Sequence, residues 1–93
     1  MANQQTDASQ EQDWNSFCAK AAAVMRNALD NKITLREASD FFEKDKTITD
    51  PDLRRYVESM VWEIGGSPGY YMKLLGMFEA RASEEDLVRW LNA

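Results

Sequence analysis

The sequence predicts an all-α fold, a compact bundle of four to five short helices. Three observations carry that expectation. Apolar residues recur at steps of three and four, the period of a single helix face. Cap residues followed by acids or by proline punctuate the chain. The one β-branched run, Thr47-Ile48-Thr49, has no second run to pair with, so it reads as a loop with Ile48 turned into the core.

Residues 1–9 are polar and lack apolar periodicity, which predicts a flexible tail and leaves 10–93 as a single helical domain. Ser9 and Gln12 stand at capping-box spacing and Asp13 is a second candidate cap. Trp14, Phe17, Cys18, Ala21, Val24, Met25 and Ala28 then form one apolar stripe, and Asp30-Asn31 supplies turn-tolerant residues to end the helix.

Thr34 and Glu37 open the second helix as T-x-x-E, each side chain satisfying a backbone N–H that the helix leaves free. Ile33 before the cap and Ala38 within form a hydrophobic staple, and Leu35, Phe41 and Phe42 complete the apolar face. Asp50-Pro51 starts the third helix, since aspartate caps and proline at the first position forfeits no hydrogen bond. Leu53, Tyr56, Val57, Met60, Val61 and Ile64 form its stripe, with Gly65 expected in the left-handed conformation that closes it.

Ser67-Pro68 repeats the cap-and-proline signal, so a fourth helix follows at once, with Tyr71, Leu74, Leu75 and Phe78 inward. Gly76 inside it costs about 1 kcal/mol relative to alanine, which implies either close packing or a bend there. Ser83 followed by Glu84, Glu85 and Asp86 places negative charge at the start of a closing helix, where the dipole favours it.

Composition narrows the function classes. Sixteen acidic residues against eleven basic give a net charge of −5, the opposite of a phosphate-backbone binder and unsuited to anionic membranes. There is no histidine and a single cysteine, Cys18, so intrachain disulfides and cysteine–histidine metal sites are ruled out. Met1 to Asp7 carries neither the basic nor the apolar region of a leader, and no apolar run reaches the roughly 20 residues of a membrane span. A cytoplasmic location is the expectation, with no cofactor.

Several motifs resolve into structure rather than chemistry. Gly65-Gly66-Ser67-Pro68-Gly69 lacks the ending of a phosphate loop and follows no strand, so it reads as a joint between helices. Asp45, Thr47 and Thr49 have calcium-loop spacing, but Asp50 stands where glycine is required and Tyr56 where the bidentate glutamate belongs. Asp40 with Glu43, and Asp50 with Asp52, are carboxylate pairs at positions expected to be solvated or capping. No catalytic residue is assigned.

The surplus lies in aromatics: Trp14, Trp62, Trp90, Tyr70 and Tyr71 exceed what short helices readily bury, and tryptophan and tyrosine dominate binding hot spots. The function expected is therefore that of a non-catalytic protein-binding module: an inhibitor, immunity-type protein, adaptor or accessory subunit. Trp62, Tyr70 and Tyr71 would gather at the glycine joint as anchors, and Asp50, Asp52, Glu84, Glu85 and Asp86 would face a basic partner. Self-association as a homodimer is a variant of the same reading. Two alternatives come from other classes. One is a helix-turn-helix DNA-binding regulator using Arg54 and Arg55; the other is a bundle holding a small apolar ligand between Tyr71, Phe78 and Trp62.

Overall fold

Four of the five helices start directly after the residues read as caps, Thr34, Asp50, Ser67 and Ser83. A computed structural model describes residues 2–93, with side chains described from Glu11 onward. Its elements are α1 (Ala2–Leu29), α2 (Leu35–Lys44), α3 (Pro51–Val61), α4 (Pro68–Glu79) and α5 (Glu84–Leu91), and the described residues contain no strand. The all-α bundle is as the sequence predicts.

The caps do the work expected of them at three starts. Thr34 accepts from the Glu37 amide while Glu37 reaches back to the Thr34 amide, a complete capping box. Asp50 accepts from Leu53 N at 2.9 Å, and Ser83 accepts from Asp86 N at 3.1 Å. Ser67 occupies the N-cap position of α4 but its hydroxyl makes no capping bond.

Three expectations need correction. α1 begins at Ala2, upstream of the Ser9 and Asp13 caps. Glutamine, alanine and glutamate sustain a helix, so a cap residue inside one need not interrupt it; the tail expected over 1–9 falls among residues whose side chains are not described. α3 ends at Val61 rather than at Ile64, and no glycine takes a positive φ. Trp62 and Glu63 instead donate to the carbonyls of Ser59 and Met60, tightening the last turn until Ser67 N bonds Glu63 O at 2.8 Å. At Gly76 the close-packing half of the expectation is not met, since a Cβ there would meet nothing within 4 Å.

The left-handed residues lie elsewhere. Asn31 (φ 61) and Arg81 (φ 60) each follow a helix end. Asn31 N and Lys32 N bond the carbonyls of Ala28 and Asn27, and Arg81 N and Ala82 N bond those of Phe78 and Met77. Both are Schellman closures, which satisfy carbonyls the helices leave open.

α1 and α4 form the central antiparallel pair. Phe17, Cys18, Ala21, Met25 and Ala28 of α1 share one buried core with Tyr71, Leu74, Leu75 and Phe78 of α4. Alanines on α1 let the backbones approach. At one end the Tyr71 hydroxyl donates to Met25 O at 2.6 Å; at the other, Trp14 Nε1 donates to Ala82 O at 2.8 Å. Arg26 and Glu79 close the outside of the pair at 2.7 Å. α2 and α3 pack alongside, Phe42 resting against both Phe17 and Phe78 with ring centroids 6.4 and 6.2 Å away. Ile48 of the extended 45–50 connection is buried, as the sequence implies, and Leu87 anchors α5.

Burial holds the Tyr71 phenol protonated and pushes its pKa up to about 12. The folded chain then keeps a proton that the unfolded chain, with a phenol near 10.0, releases first. The resulting stabilisation is complete below about pH 10 and is lost as pH rises through the folded value. Tyr71→Phe is expected to lower unfolding free energy at neutral pH by about 1 kcal/mol and to flatten the decline above about pH 10, both read from urea titrations. Gly76→Ala fills open space on a helix interior and is expected to stabilise the chain by about 1 kcal/mol, raising Tm by about 4–8 °C in a thermal melt.

Candidate interaction site between α3, α4 and α5

Helical rotation decides which aromatics reach the surface. Successive residues turn by about 100°, so Tyr71 points into the α1–α4 seam while Tyr70 beside it points outward. Tyr71 is wholly buried and Tyr70 is 62% exposed. On α3, Leu53, Val57 and Met60 face the core and Tyr56 lies on the flank, half-buried. Trp90 of α5 meets Tyr56 edge-on, centroids 5.6 Å apart at 82°.

These rings line a trough. A hollow of about 420 Å³ lies between Tyr56, Met60, Tyr70, Trp90 and Leu91. Tyr70 and Trp90 also wall a second, of about 600 Å³, that continues over Gly66, Ser67, Gly69 and Lys73. Tyr56 and Leu91 also wall a third, of about 520 Å³, reaching Asp52, Arg55, Ser59 and Asn92. Sharing these walls, the three hollows run from the start of α3 past the end of α5 to the first turns of α4.

The expected anchors are thereby separated. Tyr70 lines the trough. Trp62, 51% exposed at the end of α3, lines none of its three hollows. Tyr71 is corrected from surface to core, because its ring and hydroxyl are both consumed by α1. Tyr56 and Trp90 take the places that Trp62 and Tyr71 were expected to fill. Their ring positions depend on α3 and α5 meeting, which sequence spacing does not disclose.

The acids divide in the same way. Asp50 caps α3. Glu84 reaches across to the connection before α3, where Oε2 accepts from Thr49 N at 2.7 Å and Asp50 N at 3.0 Å, and Oε1 accepts from Thr49 Oγ1 at 3.1 Å. Both carboxylates, expected to face a partner, are therefore engaged within the fold. Asp52 pairs with Arg55 at 3.8 Å, and Glu85 and Asp86 pair with Arg89 at 3.1 and 3.2 Å, all on exposed side chains. Such surface pairs contribute little to stability.

A second concavity escaped the sequence reading. Glu11, Asp13, Trp14, Thr47, Thr49, Ser83 and Glu84 surround a cleft of about 680 Å³ where α1 passes the 45–50 connection and the start of α5. Only the folded topology brings residues so far apart in the chain together.

The side chains of the other readings are placed as follows. Arg54 bonds Glu43 O at 3.2 Å and Arg55 lies beside Asp52. Phe78 is packed by Phe17 at 5.7 Å and by Phe42, so it and Tyr71 are core residues rather than walls of a cavity shared with Trp62. Among the described residues no group of three or more Cys, Asp and Glu side chains is placed to hold a metal ion, and no helix is long and apolar enough to cross a membrane. Comparison with protein families, curated proteins and solved structures returns no match for this chain.

Cys18 is fully buried on α1, its Sγ 3.9 Å from Ala82 O. Burial pushes the thiol up to about 11, with the nearby Arg81 charge opposing the shift. A thiol held protonated and enclosed is a poor nucleophile. Native protein is therefore expected to react with an aromatic disulfide reagent only at the rate of unfolding, and fully in urea; rapid labelling of folded protein would contradict this placement.

Proposed function

We propose that the chain is a non-catalytic protein-binding module that takes part of a partner protein into the Tyr56–Tyr70–Trp90 trough. The observation that carries this reading is the trough itself: three aromatic rings from three separate helices converge on one open hollow, with Tyr70 the most exposed of them. Rigid aromatic anchors in a groove are the composition of a binding hot spot. Inhibitor, immunity-type protein, adaptor and accessory subunit are all roles such a surface serves, and a second copy of the chain is one form of partner.

The proposed partner presents a basic surface. Net charge of −5 supports this through long-range steering, and exposed Asp52, Glu85 and Asp86 add local acceptors. The proposed setting is cytoplasmic, which suits a chain whose one thiol is free and buried.

Tyr70→Ala removes the most exposed ring of the trough without touching the core. Using the full chain as bait in affinity capture from a lysate, this variant is expected to lose its partner by tenfold or more, the cost of a hot-spot residue at about 2 kcal/mol. Trp62→Ala is expected to have a small effect, and both variants to keep the helical circular dichroism of the parent. Capture unchanged by Tyr70→Ala would refute the trough as the binding surface.

A further inference from the structure

α5 differs from the other helices in how it is held. It is the shortest, at eight residues, and Leu87 is its one fully buried side chain. Val88, Trp90 and Leu91 are only partly covered. Burying a leucine contributes about 1.5–3 kcal/mol, whereas ordering each residue's backbone costs about 1–2 kcal/mol. Over eight residues, apolar packing alone does not offset that cost.

The remaining attachment is polar and concentrated at one residue. Ser83 is the N-cap, and from the position after it Glu84 spans 35 and 34 residues of chain to accept from the amides of Thr49 and Asp50 and from the Thr49 hydroxyl. Hydrogen bonds to an ionised acceptor are worth about twice neutral ones. On the chain's approach to α5, Arg81 turns through the left-handed region and Ala82 O is fixed by Trp14 Nε1. The fixed point is therefore Ala82, and everything beyond it is secured by Leu87, Trp90 and the Glu84 clasp.

We infer that α5 is a latched flap: it opens as a unit about the Arg81–Ser83 turn, and Glu84 on Thr49 and Asp50 is the latch. Opening removes Trp90 and Leu91 from the trough and uncovers Tyr56 and Met60 beneath them. The trough thus has a closed form, with α5 as one wall, and an open form that presents the bare flank of α3. This device is independent of whether the trough has a partner.

Native-state amide hydrogen exchange on the full chain, read by NMR, tests the inference. Amides of Leu87 to Asn92 are expected to exchange through a local opening that responds weakly to sub-denaturing urea, at rates well above those of the α1 and α4 core amides. Glu84→Ala is expected to speed the α5 amides by about tenfold or more, the loss of charge-assisted hydrogen bonds, and to leave Met25 and Leu75 nearly unchanged. Thr49→Val, which deletes one donor and keeps the backbone amide, is expected to act in the same direction with smaller size. It serves as the test should the alanine variant fold poorly. Exchange of α5 together with the α1–α4 core, or equal acceleration of every helix by either variant, would overturn the latch.

Discussion

The structure depends on the α1–α4 pairing and on the two hydrogen bonds that set its register. Tyr71 donates to the backbone of α1 near one end of the seam, and α1 donates back through Trp14 to the turn that follows α4. Each bond runs from a side chain on one helix to a main-chain oxygen, Met25 O on α1 for Tyr71 and Ala82 O in the turn after α4 for Trp14. A slide of α4 by one turn, about 5.4 Å, would break both and leave the buried Tyr71 hydroxyl without a partner, which costs more than the bond itself contributes. Small residues on α1 permit the approach; the two bonds choose which approach is made. The Phe17–Phe42–Phe78 cluster then gives α2 a place beside the seam.

Much of the fold was legible because its boundaries are local chemistry. Thr34, Asp50 and Ser83 each cap through bonds to residues three positions away, so the sequence contains the whole device. The apolar stripe of α1 was legible for the same reason. Errors arose where the competing outcomes are both local and nearly equal. A helix may close on a left-handed glycine or on a tightened turn; the third helix uses the tightened turn, and the left-handed residues are an asparagine and an arginine. In those two Schellman turns, backbone bonds to the preceding helix offset the modest cost of a positive φ.

The site was less legible, and Tyr70 and Tyr71 show why. Adjacent and chemically identical, they differ by one step of helical rotation, yet one seals the core and the other is the most exposed large hydrophobic residue described. Periodicity assigned Tyr71 to the inner face; its expected role as an anchor rested on residue type, and residue type cannot separate the two. Trp62 has the same defect, being exposed but lining none of the trough's three hollows. Tyr56 and Trp90 are legible only after α3 and α5 are placed together, because the trough is a property of the joint arrangement rather than of any helix.

The carboxylates complete the same point. Net charge is a sum over residues and says nothing about which charges remain available. Glu84 was expected to complement the helix dipole and, with the other acids, to face a basic partner. The fold uses that position differently: projecting from the first turn, the side chain reaches the extended connection before α3, whose amides have no helix to satisfy them. Within the 45–50 connection the Asp45 carboxylate accepts from Thr47 N, while the Thr49 and Asp50 amides find their acceptor in Glu84. The connection and α5 are thereby secured by each other. An acid placed to look like a recognition residue is instead what holds one wall of the trough shut.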